Sequence, residues 1–346
     1  MNNYLFNFAA SYTGGGYKRL YAYLEWFDKN GGAHFIINSK ISHLAERFNN
    51  NKYYFVNMSV LQRIFHDGNY LESIVKSNNQ FILFYSYGVP LYKNFAKVNW
   101  FHLSNVIPLV PNKIKMTLYD RLRFTYIGIK TIKGFKKADI ISAESEYSLS
   151  LINPKYKSKL FLSKNGADDE IAFLRNYEPK KKEEIALVIG TYWYKAIDDS
   201  YEVFLMLREA NPSLKLIIIG SDKTISEVVK KDNNVFIINK FLDRESIIKY
   251  LRSCKYYIST TLIENSYNAI SEGVGFADES FISDIGPHRE FLKGVKKEKI
   301  KLQNSDRFVY HVYRTDFDIS ILQSWEIVIS EMLNKTNALI SKSRRT

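Results

Sequence analysis

Cysteine occurs once in 346 residues, at Cys254, which excludes an internal disulfide and fits a reducing compartment. Its place at the end of a helical pattern reads as a packed small residue, not a nucleophile. No apolar run approaches the ~20 residues that span a bilayer. The opening Met1-Asn2-Asn3-Tyr4-Leu5-Phe6 lacks the basic and apolar regions of a signal peptide. A cytoplasmic location is the expectation. Acidic residues are short, 36 against 49 basic ones, for a formal net charge of +13. Such a chain asks for an anionic partner: nucleic acid, an anionic membrane or a phosphorylated substrate. Neither an RNA-binding sheet signature nor a helix-turn-helix pattern is present, which puts nucleic acid last. No His/Cys/Asp/Glu group has metal-ligand spacing, so no metal is expected.

What is present is a globular chain too long for one ordinary core, which argues for two domains. Short apolar strands, at 4–9, 34–38, 53–57, 81–85, 100–103, 140–143 and 160–163, alternate with helical patterns. The segment 176–184, with Pro179 and a charge run, reads as an interdomain linker. The alternation restarts at 185–189, 216–219, 235–238, 256–259 and 281–283. Residues 318–341 read as a closing helix. Alternation of this kind predicts parallel sheets covered by helices on both faces. The expected fold class is therefore α/β, with two doubly wound, Rossmann-like domains facing a cleft. The boundaries read as 1–176, 177–317 and a closing segment 318–346 returning to the first domain.

Candidate sites fall at strand-to-helix junctions. Gly14-Gly15-Gly16 follows the first strand, where a doubly wound sheet binds its ligand. It reads either as a plain tight turn or as a loop whose backbone approaches a phosphate or sugar. It is not the dinucleotide fingerprint, because position 19 is Arg. Lys195 follows the first strand of the second half, where its ammonium can neutralise a pyrophosphate. His102 sits among apolar neighbours at the end of a strand. Two readings stand for it, a hydrogen-bonded core residue or a contact to a sugar hydroxyl, and His288 has the same two. In Glu264-Asn265-Ser266-Tyr267-Asn268-Ala269-Ile270-Ser271-Glu272 two carboxylates lie eight positions apart across a strand-to-helix junction. Asn265 or Ser266 is placed to cap the helix, whose free N–H groups suit a diphosphate. The carboxylates suit sugar hydroxyls.

Residues 112–137 hold eight Lys and Arg against one acid, Asp120, with Leu118, Leu122, Tyr126 and Ile129 at helical spacing. This is either a helix resting on an anionic membrane surface, or one that packs its apolar stripe on its own domain.

Together these residues resemble the family-four retaining glycosyltransferases, which have the two-domain GT-B fold. Glu264 and Glu272 match that family's paired glutamates, with Asn265, Ser266, Tyr267 and Asn268 between them. Ser283 to Glu290 is similar to the stretch that follows in polysaccharide-type and O-antigen members. Asn165-Gly166-Ala167-Asp168 resembles the Asn-Gly-Val-Asp turn, and Ala138-Asp139 with Ser145 the Ala-Asp…Ser strand. The resemblance is strongest over residues 138–292. It implies that Glu272 binds the donor's ribose and that Glu264 holds the transferred sugar. It also implies that Lys195 neutralises the leaving diphosphate, that His102 lines the reaction centre, and that Gly14, Gly15 and Gly16 approach the substrates.

The implied activity is metal-independent, retaining hexosyl transfer from a UDP- or GDP-linked sugar, which serves as co-substrate with no further cofactor. The implied acceptor is a lipid-linked oligosaccharide of bacterial surface polysaccharide, met at the inner face of the cell membrane. The sequence departs from the pattern at Thr191, where the family often has Arg, and at Ala196, where Gly is common. It also departs at Gly275-Phe276-Ala277-Asp278, which replaces Gly-x-Pro. Two further readings are a nucleotide-sugar epimerase or phosphorylase of the same fold, and a non-catalytic polyanion- or membrane-binding protein on a degenerate transferase scaffold.

Overall fold

A computed structural model describes residues 2–57, 69–76, 81–112, 114–176, 182–240 and 242–343. Within it the chain divides into two compact units, Met1–Gly166 with Ser324–Thr346, and Ala167–Gln323. Residues 177–181 of the stretch read as a linker lie outside the described residues, as does Lys113.

The first unit has strands β1 (Tyr4–Asn7), β2 (His34–Asn38), β3 (Lys52–Val56), β4 (Phe81–Tyr87), β5 (Ala96–Leu103), β6 (Ile140–Ala143) and β7 (Leu160–Leu162). They form one sheet in the order β3-β2-β1-β4-β5-β6-β7, with every pairing parallel. A parallel sheet is covered on both faces, so its strands read as continuous apolar runs. Every residue of β2, His-Phe-Ile-Ile-Asn, is buried.

The second unit has β8 (Glu183–Ile189), β9 (Lys215–Ile219), β10 (Val235–Ile238), β11 (Cys254–Ser259), β12 (Glu279–Ser283), β13 (Glu298–Lys301) and β14 (Phe308–Tyr313). Their order is β10-β9-β8-β11-β12-β14-β13, parallel except where β14 meets β12 and β13. That antiparallel edge has no counterpart in the sequence reading. β13 reads Glu-Lys-Ile-Lys, a charged pattern that protects an edge strand from stray pairing and hides it from an apolar-run search.

The longer helices are α1 (Gly14–Lys29), α2 (Asn69–Lys76), α3 (Leu118–Lys137), α4 (Asp168–Arg175), α5 (Ile197–Ala210), α6 (Arg244–Ser253), α7 (Asn268–Phe276) and α8 (Trp325–Ser343). α1 buries Leu20, Tyr23, Leu24 and Phe27, the stripe expected of a helix lying on one sheet face. In that core Phe6 stacks on Phe35 with ring centroids 5.1 Å apart. Trp325, Val328, Ile329 and Met332 of α8 join the same core. α8 starts at Trp325, not at 318, because Leu322 is buried in the second unit's core. α4 also packs in the second unit, with Phe173 4.8 Å from Phe276 and Glu170 accepting from the Ser271 hydroxyl at 3.2 Å. Among the described residues no helix is long and apolar enough to cross a membrane.

Candidate functional site

Among the parallel strands of each sheet the order reverses at one place, between β1 and β4 in the first and between β8 and β11 in the second. Loops leaving the carboxyl ends of such neighbouring strands diverge to opposite faces and open a crevice that suits a ligand.

In the second unit the loop after β8 carries Gly190 to Lys195 and the loop after β11 carries Thr260 to Tyr267. Lys195 Nζ stands 2.5 Å from Glu264 Oε1, so the two sequence-predicted residues meet across the switch point. Backbone bonds fix this meeting: Leu262 N donates to Tyr194 O at 2.7 Å, and the Thr261 hydroxyl donates to the same oxygen at 3.2 Å. Arg307, from the turn before β14, donates to the Thr260 and Thr261 carbonyls at 2.5 and 2.9 Å and also pairs with Asp199. A guanidinium bridging two loop carbonyls and a carboxylate holds that loop in one geometry.

Gly190 has φ +84°, and a methyl group there would touch Lys195 Cε at 3.5 Å. Among the described residues Ala196 is the one non-glycine with positive φ, at 49°. It opens α5, so the departure from glycine noted at this position falls where glycine is favoured. Thr191 is buried; a methyl group on Gly220 would lie 2.6 Å from its hydroxyl, so this threonine fills the turn beside Gly220.

α7 begins at Asn268, and the side chain of its N-cap residue Tyr267 does not cap the helix. Ser266 Oγ accepts from Asn268 N at 3.4 Å, so Ser266 supports the first turn while Asn265 is buried beside it. Tyr267 is buried against Phe291, 4.8 Å between centroids. Glu272 therefore lies one turn into α7, and its carboxylate accepts from Arg244 Nη1 at 2.7 Å. Arg244 also pairs with Asp169 at 3.0 Å. Burial alone would lower the Arg244 pKa, yet Glu272, Glu170 and Asp169 raise it, so the guanidinium stays charged and orients Glu272. α7 lies close on β11, since a methyl group on Gly273 would stand 2.0 Å from Tyr257 Cδ1. Burial, then Glu272 and Glu264, push the Tyr257 hydroxyl pKa up, and it stays protonated beneath the two carboxylates. His288 is fully buried, 2.9 Å from the Ser283 carbonyl; burial lowers its pKa to about 3, the environment of a structural histidine.

In the first unit Gly14 has φ +64° and begins α1 together with Gly15 and Gly16. A methyl group on Gly16 would stand 3.0 Å from Tyr87 Cε1. Tyr87 in turn stacks on His102 with centroids 4.9 Å apart and donates to Glu144 Oε1 at 2.9 Å. The structure thus brings the glycine turn and His102 to one sheet edge, with Tyr87 between them. His102 itself is fully buried. Trp100 Nε1 donates to Ser142 Oγ at 2.6 Å, and the same oxygen is hydrogen-bonded to His102 Nδ1 at 2.8 Å. His102 Nε2 faces Glu144 Oε1 at 3.5 Å. Burial and the Arg19 charge lower the His102 pKa to about 4, outweighing Glu144. Glu144 is held at about 2: burial would raise it, but His102, Arg19 and Tyr87 hold the carboxylate ionised. Of the two readings for His102, this environment is that of a hydrogen-bonded core residue.

Arg19 lies wholly buried. It donates to Ser163 O at 2.9 Å, Lys164 O at 2.8 Å and Asn165 Oδ1 at 3.1 Å, tying α1 to the end of β7. Sequence reasoning missed Arg19, Tyr87, Glu144, Arg244 and Arg307. The available signal was position: Tyr87 ends β4 and Glu144 follows β6, both at carboxyl ends of strands. Nothing local distinguishes Arg19, Arg244 or Arg307 from exposed arginines.

No family model and no curated protein matches the chain by sequence. Solved structures do match it in shape. Anabaena Alr3699/HepE, solved in complex with UDP and glucose, is 13% identical with a TM-score of 0.55, covering 85% of this chain and 84% of that one. The UDP-forming α,α-trehalose-phosphate synthase of Burkholderia vietnamiensis is 10% identical with a TM-score of 0.52, covering 80% and 81%. A trehalose-6-phosphate synthase studied for glycosyl transfer with retention is 10% identical with a TM-score of 0.50, covering 80% and 82%. Like these structures, the chain has two parallel-dominated, Rossmann-like α/β units, the GT-B fold.

Proposed function

We propose that the chain is a glycosyltransferase that takes a sugar from a nucleotide-diphospho donor held by the second unit. The observation that carries this reading is the Lys195–Glu264 pair across the β8/β11 switch point, with Glu272 one turn into the helix that follows. The matched structures support it in kind, since Anabaena Alr3699/HepE was solved with UDP and glucose. In this reading the anomeric carbon–oxygen bond breaks toward the diphosphate as the acceptor hydroxyl oxygen bonds to the same carbon and gives its proton to the departing phosphate oxygen; the diphosphate's growing charge meets the Lys195 ammonium and the N–H groups opening α7. Glu264 exchanges its lysine for sugar hydroxyls, and Glu272, oriented by Arg244, accepts from the ribose. Asn265, Ser266, Tyr267 and Asn268 shape the loop that presents both carboxylates. Lys195 and Glu264 are the residues proposed to touch the reacting atoms.

The first unit is proposed to take the acceptor, a lipid-linked glycan, at the Gly14–Gly16 turn, with His102 supporting Tyr87 from beneath. Retention of anomeric configuration, independence of metal and work at the inner face of the cell membrane on surface polysaccharide complete the proposal. Calorimetry with UDP and GDP tests the donor site. Binding of one nucleotide, weakened about tenfold or more in Glu272→Ala through loss of charged hydrogen bonds, is the expected result. No binding of either by the wild-type chain rejects the reading. A product assay then separates transfer to an acceptor from an isomerised donor or a free sugar phosphate.

A further inference from the structure

The basic helix α3 has two faces, and the structure assigns them opposite to the simplest packing expectation. Phe124, Gly128, Thr131 and Phe135 are buried. Phe135 meets Phe101 with centroids 5.6 Å apart, and a methyl group on Gly128 would stand 2.2 Å from the Pro108 carbonyl oxygen. Leu118, Leu122, Ile129 and Ile132 are 72%, 64%, 49% and 45% exposed. At about 100° per residue these four fall within one arc of the helix, centred roughly 115° round from the packed stripe. The apolar repeat at 118, 122 and 129 therefore does not pack on its own unit.

Single exposed apolar residues are ordinary, but four large aliphatic side chains aligned along one helix are a patch that calls for a partner. Its surroundings say which. Lys115, Arg121, Lys133, Lys136 and Lys137 are all exposed around it. The one acid of the helix, Asp120, is occupied in the first-turn cap, where it accepts from the Thr117 hydroxyl at 2.9 Å. A second copy of the chain would set these lysines against their own kind. A nucleic acid would use the charges and leave the aliphatic stripe wet. An anionic bilayer matches both, phosphates to the cations and the acyl boundary to the stripe. We propose that this face of α3 lies in the headgroup layer of an anionic membrane. The inference does not depend on the chain transferring a sugar.

Co-sedimentation with vesicles of phosphatidylcholine, alone and with about one-third phosphatidylglycerol, tests it, the expected selectivity being roughly tenfold or more. Leu122→Asp with Ile129→Asp, and separately Lys133→Glu with Lys136→Glu, should each lower binding to the anionic vesicles about tenfold or more. All four positions are exposed, so the unfolding midpoint and nucleotide binding should stay unchanged, which separates lost docking from lost folding or lost function. Failure of the wild-type chain to sediment with the anionic vesicles overturns the proposal. So does unchanged binding of the Leu122→Asp/Ile129→Asp chain, or a wild-type dimer that this variant converts to monomer while vesicle binding persists.

Discussion

At the scale of single residues, Lys195 and Glu264 make separable predictions because they neutralise each other in the absence of ligand. Lys195→Ala should weaken both nucleotide binding and transfer. Glu264→Gln should keep nucleotide affinity, since it leaves the ammonium uncompensated beside the diphosphate, but lose transfer by about a hundredfold or more. Titration calorimetry and a transfer assay on the same variants check this; equal losses in both assays for Glu264→Gln would contradict the assigned roles. Ala196 carries a left-handed backbone at φ 49°. Replacing it with glycine should raise stability by up to about 1 kcal/mol, the relief of backbone strain less the extra freedom of the unfolded glycine; chemical denaturation measures it.

His102 and Glu144 make acid a destabiliser. The folded-state pKa of His102 is about 4 against 6.5, so between those values the unfolded chain binds the extra proton and stability rises with pH. Its contribution is complete above about 6.5 and fades as pH falls toward 4. Glu144, near 2 against 4.5, adds a loss that begins below 4.5 and runs toward 2. The denaturant midpoint should fall through this range, and His102→Asn should lessen the slope between pH 6.5 and 4, leaving the part that the likewise depressed His34 and His288 supply. A variant curve parallel to the wild type there would remove His102 from the account.

At the scale of elements, the seat of α7 on β11 decides where Glu272 stands. A methyl group on Gly273 would meet Tyr257 Cδ1 at 2.0 Å. Gly273→Ala should therefore cost about 1–3 kcal/mol of stability, as overpacking does, and weaken nucleotide binding by shifting the helix. Denaturation and calorimetry test both halves. The parallel strands of both sheets were legible as apolar runs because such strands are buried on both faces; the antiparallel edge of β13 and β14 was not. Glu264 and Glu272 were legible because the strand-to-helix junction keeps them close in sequence. Arg244 was not, since nothing in Leu242-Asp243-Arg244-Glu245 indicates that α6 will carry its first residue to Glu272. The aliphatic repeat of α3 was legible as a helix and misleading as a core face. Two glycines at 128 and 134 let another side of the helix approach Pro108 and Leu91 closely, contact that larger residues in those two positions would block.

At the scale of the whole molecule, each unit completes its core from its own residues. The first does so only by recovering α8 from the far end of the chain, with Trp325 5.3 Å from the Arg19 guanidinium and Ile329 and Met332 fully buried. Removing Ser324–Thr346 should expose that core and lower the first unit's stability by more than about 4 kcal/mol, the range of severe core loss. Two-transition calorimetry should show the second unit's melt unmoved by the truncation.

The sequence by itself determined the alternation of strands and helices, the pairing of sheets with covering helices, and the excess of positive charge. These follow from local apolar periodicity and composition. Only the tertiary structure decided that Lys195 meets Glu264, that Arg244 orients Glu272, and that His102 is sealed beneath Tyr87. It alone turned the apolar stripe of α3 toward solvent. Each of these depends on where distant segments close against one another, and no local pattern encodes that distance.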